Sequence, residues 1–124
     1  MRKVAASVFA VAVAVCSTSA HAETLLLKKY RQAHAAGPLP DSILNYISGI
    51  ADGLETSNIV LSWKKKPMLF CQPESLALNS QNFITIIDTE IKRRIASGEK
   101  PYGDEYPVML ILVDGMQRTF PCEK

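Results

Sequence analysis

The sequence has little of what catalysis, metal binding or nucleic-acid recognition needs. It holds two histidines, three cysteines and one tryptophan in 124 residues, and a formal charge of only +2. A nucleic-acid or anionic-membrane binder needs a large positive excess, so neither partner is expected. No segment reaches the ~20 apolar residues of a membrane span, which argues against an integral membrane protein. With 6 glycines, 7 prolines, 48% hydrophobic and 21% charged residues, collagen and intrinsic disorder are both excluded. One globular domain fits the length.

The N-terminus explains part of the hydrophobic content. Arg2 and Lys3 precede an apolar run from Val4 to Cys16, and Ala20-His21-Ala22 places small residues at −3 and −1 of a secretory cleavage point. Residues 1–22 are therefore expected to be a signal peptide cut between Ala22 and Glu23, with residues 23–124 forming a single exported domain in the periplasm. A lipoprotein reading of Val13-Ala14-Val15-Cys16 is disfavoured, because Val15 is not the small residue such sites require. Removing Arg2 and Lys3 leaves 12 basic against 12 acidic residues. A domain of about 100 residues buries only ~65% of its unfolded surface, so a staple is expected. Cys71 and Cys122 remain as an even pair in an oxidising compartment, which favours a disulfide over metal ligation.

Periodicity predicts an all-α domain of about four main helices stapled by that one disulfide. Glu23 to Ala36 ends at the breaker pair Gly37-Pro38. Ile43, Ile47, Ile50 and Leu54 then form an apolar stripe that runs to Ser57 or beyond, with Asp41 or Ser42 as its cap. A third helix starts near Asn79 or Ser80, places Phe83, Ile84, Ile87, Ile91 and Ile95 on one face, and sets Asp88 opposite Lys92 and Glu90 opposite Arg94. Val108 to Val113 is apolar throughout, and a buried strand competes with a helix there. Pro107 at a first helical position and the spacing of Val113, Met116 and Phe120 tip it to a helix.

Each candidate chemical group has a plainer counterpart. His34 is the only histidine after Ala22, and a solvated surface histidine is favoured over a catalytic one. Two cysteines and one histidine lack the fourth ligand of a structural zinc site. Asp52 reads as a solvated carboxylate, Asp114 as the partner of Arg118, and Gly49 with Gly53 as a packing notch. No catalytic residue, cofactor or metal is expected. Two loops and one residue stand out as contacts: Trp63, Lys64, Lys65, Lys66 and Met68 around Pro67; Tyr102, Asp104, Glu105 and Tyr106; and Ile86 on the polar side of the third helix. Trp63 as a mere cap on the core is the competing view. The all-round apolar run around Leu110 and Ile111 suggests burial against a second subunit.

Four motifs in order then become informative: Tyr46-Ile47-Ser48-Gly49-Ile50-Ala51-Asp52-Gly53; Phe70-Cys71-Gln72-Pro73-Glu74; the apolar helix from Ser80; and Val108 to Met116, closing in Phe120-Pro121-Cys122. Together, over roughly residues 40–123, they resemble the Tai/Rap family of periplasmic immunity proteins. The resemblance implies a helical fold, a Cys71–Cys122 disulfide and frequent homodimers. It also implies a cognate partner: a type VI secretion effector, a peptidoglycan amidase with a cysteine and histidine site, which the immunity protein blocks. The basic stretch Trp63 to Met68 is longer here than in the family pattern. A periplasmic stress chaperone, or another small disulfide-stabilised binding protein, is the alternative.

Overall fold

The computed structural model describes residues 23–123; the expected signal segment, up to Ala22, lies outside them. Four helices follow in order: α1 (Leu27–Ala36), α2 (Asp41–Trp63), α3 (Ser80–Ala96) and α4 (Val108–Thr119). The fold is all-α with one disulfide, as the periodicity predicts. No helix among the described residues is long and apolar enough to cross a membrane.

Local chemistry sets the boundaries. Asn79 and Asn82 form a reciprocal cap, each side-chain oxygen accepting the other's backbone N–H at 3.1 and 2.9 Å, and this starts α3. Asp41 is the first residue of α2 rather than its cap, where its charge favours the positive end of the helix dipole. α1 starts four residues later than the sequence predicts. Leu25 and Leu26 are drawn out as an extended segment that pairs with the approach to α4: the Leu27 N–H donates to the Tyr106 carbonyl, and the Val108 N–H to the Leu25 carbonyl, both at 2.9 Å.

α4 packs most extensively on α3, and α2 touches both. The core joins Leu27 and Tyr30 of α1, Ile43, Ile47 and Ala51 of α2, Phe83, Ile84, Ile86 and Ile87 of α3, and Val108, Ile111, Leu112 and Met116 of α4. Burial of each large apolar side chain contributes about 1.5–3 kcal/mol. Ile95, expected on the apolar face, lies past the end of this core and is exposed.

Three expectations about contacts are corrected. Gly49 and Gly53 are not a packing notch: a Cβ at either would meet nothing within 4 Å. The close approach is at Gly115, where a Cβ would stand 2.6 Å from Ile86 Cγ2. Second, Ile111 is fully buried within its own chain and is unavailable to a second subunit, whereas Leu110 stays on the surface. The Val108 to Val113 run is thus one-sided, with α2 and α3 covering its inner face. Third, the helix-surface ion pairs are rearranged. Glu90 takes Arg93 and Arg118, leaving Arg94 to Glu99 and Asp114 to Tyr102.

Candidate functional site

The most exposed large apolar side chain in the described chain is Trp63, 78% accessible, at the last turn of α2. The helix stops there through a Schellman closure. The Lys66 N–H donates to the Leu61 carbonyl and the Lys65 N–H to the Ser62 carbonyl, both at 2.9 Å, while Lys65 adopts φ +52°. Glycine usually fills that left-handed position; here a lysine does, and the three-lysine tip stays exposed on all sides.

From this tip the chain doubles back beside α2. Asn58 holds it: its Nδ2 donates to the Phe70 carbonyl at 2.8 Å, and its Oδ1 accepts the Leu69 N–H at 2.7 Å. Phe70 inserts into the core. One residue on, the Cys71 N–H donates to the Phe120 carbonyl at 2.8 Å, and Cys71 is bonded to Cys122 with Cα atoms 4.9 Å apart. The segment is thus fastened to α2 by a side chain and to the end of α4 by a covalent bond.

Between α2 and this segment lies an open groove of about 680 Å3. Its apolar wall is Ile59, Trp63, Met68 and Leu76, all of them exposed. Its polar lining includes Glu55, Ser62, Gln72 and Glu74. Isolated exposed apolar residues are ordinary; four around one concavity are not. The groove offers apolar area and hydrogen-bond acceptors, which is binding chemistry.

The remaining sequence candidates divide sharply. Trp63 and Met68 line the groove, and Lys64, Lys65 and Lys66 stand at its tip. Ile86 is removed from the list, because only 9% of it is accessible and it packs against Gly115. Its helical position faces α4, and the glycine there lets the two backbones close in.

Tyr102 is likewise buried. Its hydroxyl donates to Asp114 Oδ2 at 2.8 Å and lies 3.2 Å from Glu90 Oε1, while the Arg94 guanidinium covers the ring at 4.3 Å. Tyr106 packs on Tyr102 with ring centroids 4.7 Å apart, and Asp104 accepts from Arg31 at 2.9 Å. Of that loop's candidates Asp104 and Glu105 are exposed, but the loop as a whole ties α1 to α4.

Beneath it sits a buried carboxylate. Glu90, 2% accessible, receives two hydrogen bonds from Arg93 at 2.8 and 2.9 Å, with Arg118 Nε at 3.2 Å. The Arg93 hydrogen bonds hold it below the ordinary carboxylate range despite its burial. Glu99, hydrogen-bonded to Arg93 and Ser97, is lowered to about 2. Burial pushes the Tyr102 hydroxyl up, as does its bond to Asp114. His34 Nε2 lies 3.1 Å from the Tyr30 hydroxyl, which donates to Asp88 at 2.9 Å. These clusters join helices to one another.

Asn58, Ile59 and Leu76 escaped the sequence reading. For Asn58 a signal existed: it continues the Ile47, Ala51, Leu54 stripe at helical spacing. A polar residue on a buried stripe must find partners, and those partners are the groove wall. No protein-family model matches this chain, and no curated protein or solved structure matches it significantly.

Proposed function

We propose that this is a periplasmic immunity protein that binds a cognate peptidoglycan amidase effector and occludes its substrate cleft. The observation that carries the reading is the Trp63 tip: an exposed aromatic beside Ile59, Met68 and Leu76, on a turn closed by a Schellman motif and a segment fastened by Asn58 and the disulfide. A protein inhibitor gains affinity from an aromatic anchor that is already ordered before binding. The order of the cysteine-proline turn and the closing Phe120-Pro121-Cys122, with the leader-like first 22 residues, supports export and the immunity class. The anchor set is narrower than the sequence suggests: Trp63, Met68 and the lysine tip, without Tyr102 or Ile86.

The test is periplasmic co-expression with exported amidase effectors from the same genome. Growth should be restored by the parent chain and lost with Trp63→Ala, while circular dichroism shows the variant folded. A Trp63→Ala chain that is folded and protects fully would overturn the assignment of the tip. Failure to protect against every such amidase would overturn the immunity reading itself.

A further inference from the structure

The groove's polar lining is one-sided in its hydrogen-bonding capacity. Asn58 spends both of its side-chain polar atoms on the Leu69 and Phe70 backbone. Gln72 spends its amide nitrogen on the Leu76 carbonyl at 2.6 Å, and its Oε1 is buried with no hydrogen-bond partner. Glu55 and Glu74 are carboxylates, and neither has an ion-pair partner among the described residues. No lysine or arginine lines the groove; Lys64, Lys65 and Lys66 follow Trp63 in the chain without joining its walls. Apart from the Ser62 hydroxyl and the Trp63 indole N–H, the unspent side-chain polar groups are therefore acceptors, two of them negatively charged.

We infer that the groove takes a protein segment pairing an apolar side chain with an adjacent lysine or arginine. The apolar side chain rests on Trp63, Met68, Ile59 and Leu76, where aromatic and thioether surfaces adapt to varied shapes. The cation meets Glu55 and Glu74. An acidic segment is rejected by the two carboxylates. This inference rests on the immunity reading only for the identity of the partner, an amidase surface; the groove's preference follows from its own lining.

A random-peptide display library, selected against the exported protein, tests it. Recovered sequences should combine an apolar or aromatic residue with lysine or arginine. Titrated as synthetic peptides, they should perturb the fluorescence of the sole tryptophan. Substituting Glu55→Gln and Glu74→Gln together should weaken binding about tenfold, and raised salt should weaken it further. Both side chains lie outside the buried core, and circular dichroism confirms the fold of the double variant.

Recovery of acidic or uncharged peptides, affinity indifferent to the double substitution, or no recovery at all would overturn the inference. So would self-association abolished by Trp63→Ala, which would assign the groove to a second copy of the chain. Amidase protection is scored separately. Basic-apolar selection without protection refutes immunity and keeps the groove's preference, whereas protection indifferent to Glu55 and Glu74 does the reverse.

Discussion

Gly115 of α4 is pressed against Ile86 of α3 so closely that a methyl group on Gly115 would stand 2.6 Å from Ile86 Cγ2 and 3.3 Å from the Ile86 carbonyl oxygen. The second distance involves backbone, which does not swing aside. Gly115→Ala should therefore destabilise the fold by about 1–3 kcal/mol through overpacking. Combining it with Ile86→Ala, which vacates the space, should cost less than the sum of the two single changes. Denaturant unfolding of the four proteins checks this. By contrast Gly53→Ala, inside α2 with open space around it, should stabilise by about 0.5–1 kcal/mol.

Helix number, order and the disulfide were legible because each rests on local or compositional signals: the Gly37-Pro38 break, the isoleucine stripe of α2, and an even pair of cysteines after Ala22. Which side of a helix meets which neighbour is a tertiary outcome, and there the reading failed. Ile86 looks misplaced among Asn82, Thr89 and Arg93, yet α4 covers it because Gly115 permits the approach. Tyr102 looks like a loop-tip aromatic, yet Glu90 and Asp114, polar residues on two helices, take its hydroxyl inward. The groove was half legible. Trp63 and the lysines announced themselves by composition; Leu76 and Glu74 come from a segment whose path depends on Asn58.

Glu90 should contribute to the acid response. Its carboxylate is held below its ordinary value of 4.5 chiefly by Arg93, so its stabilising contribution is complete above that pH. It is lost as pH falls through the lower folded-state value. Glu90→Ala leaves Arg93 with Glu99 alone, takes the carboxylate from Arg118 and leaves the Tyr102 hydroxyl with Asp114 alone, and should cost about 2 kcal/mol. The variant should also show a flatter loss of stability below pH 4.5, measured by unfolding midpoints across the acid range.

Alkaline pH acts through the tyrosines. Tyr30 and Tyr102 are both raised above the ordinary 10.0, first by burial and then by the adjacent carboxylates Asp88 and Asp114. A raised value means stability that is full below pH 10 and declines as pH climbs toward the folded-state value. Tyr102→Phe should remove part of that decline while costing about 1 kcal/mol at neutral pH. Unfolding midpoints on either side of pH 10 decide it.

The Cys71–Cys122 bond closes a loop spanning 51 positions, worth about 4 kcal/mol on the chain-entropy account. Cys122→Ala should lower stability by that order. It should also loosen the groove wall, leaving the Asn58 bonds, the buried Phe70 side chain and the Cys71 to Phe120 hydrogen bond to seat it. Hydrogen exchange should quicken at Leu69 and Cys71 ahead of the α3 core.

Lys65 occupies a left-handed conformation at φ +52°, which costs a side-chain-bearing residue roughly 1 kcal/mol relative to glycine. Replacing it with glycine should stabilise the turn by about 0.5 kcal/mol after the greater freedom of the unfolded glycine is subtracted. Thermal unfolding reads the difference.

The manner in which Asn58 grips its neighbours has a bearing on how such a surface changes over generations. It holds the N–H of Leu69 and the carbonyl of Phe70, and a carbonyl is present whatever the amino acid, an N–H in all but proline. Codons 68, 72, 74 and 76 can therefore drift without disturbing the fastening, and each change re-letters the groove while leaving the scaffold intact. On the proposed function, a partner that alters its docking segment can be followed by single substitutions at those positions. Loss of Asn58 would release the Leu69 and Phe70 backbone together, so lineages that diversify this surface should vary around that asparagine and leave it in place.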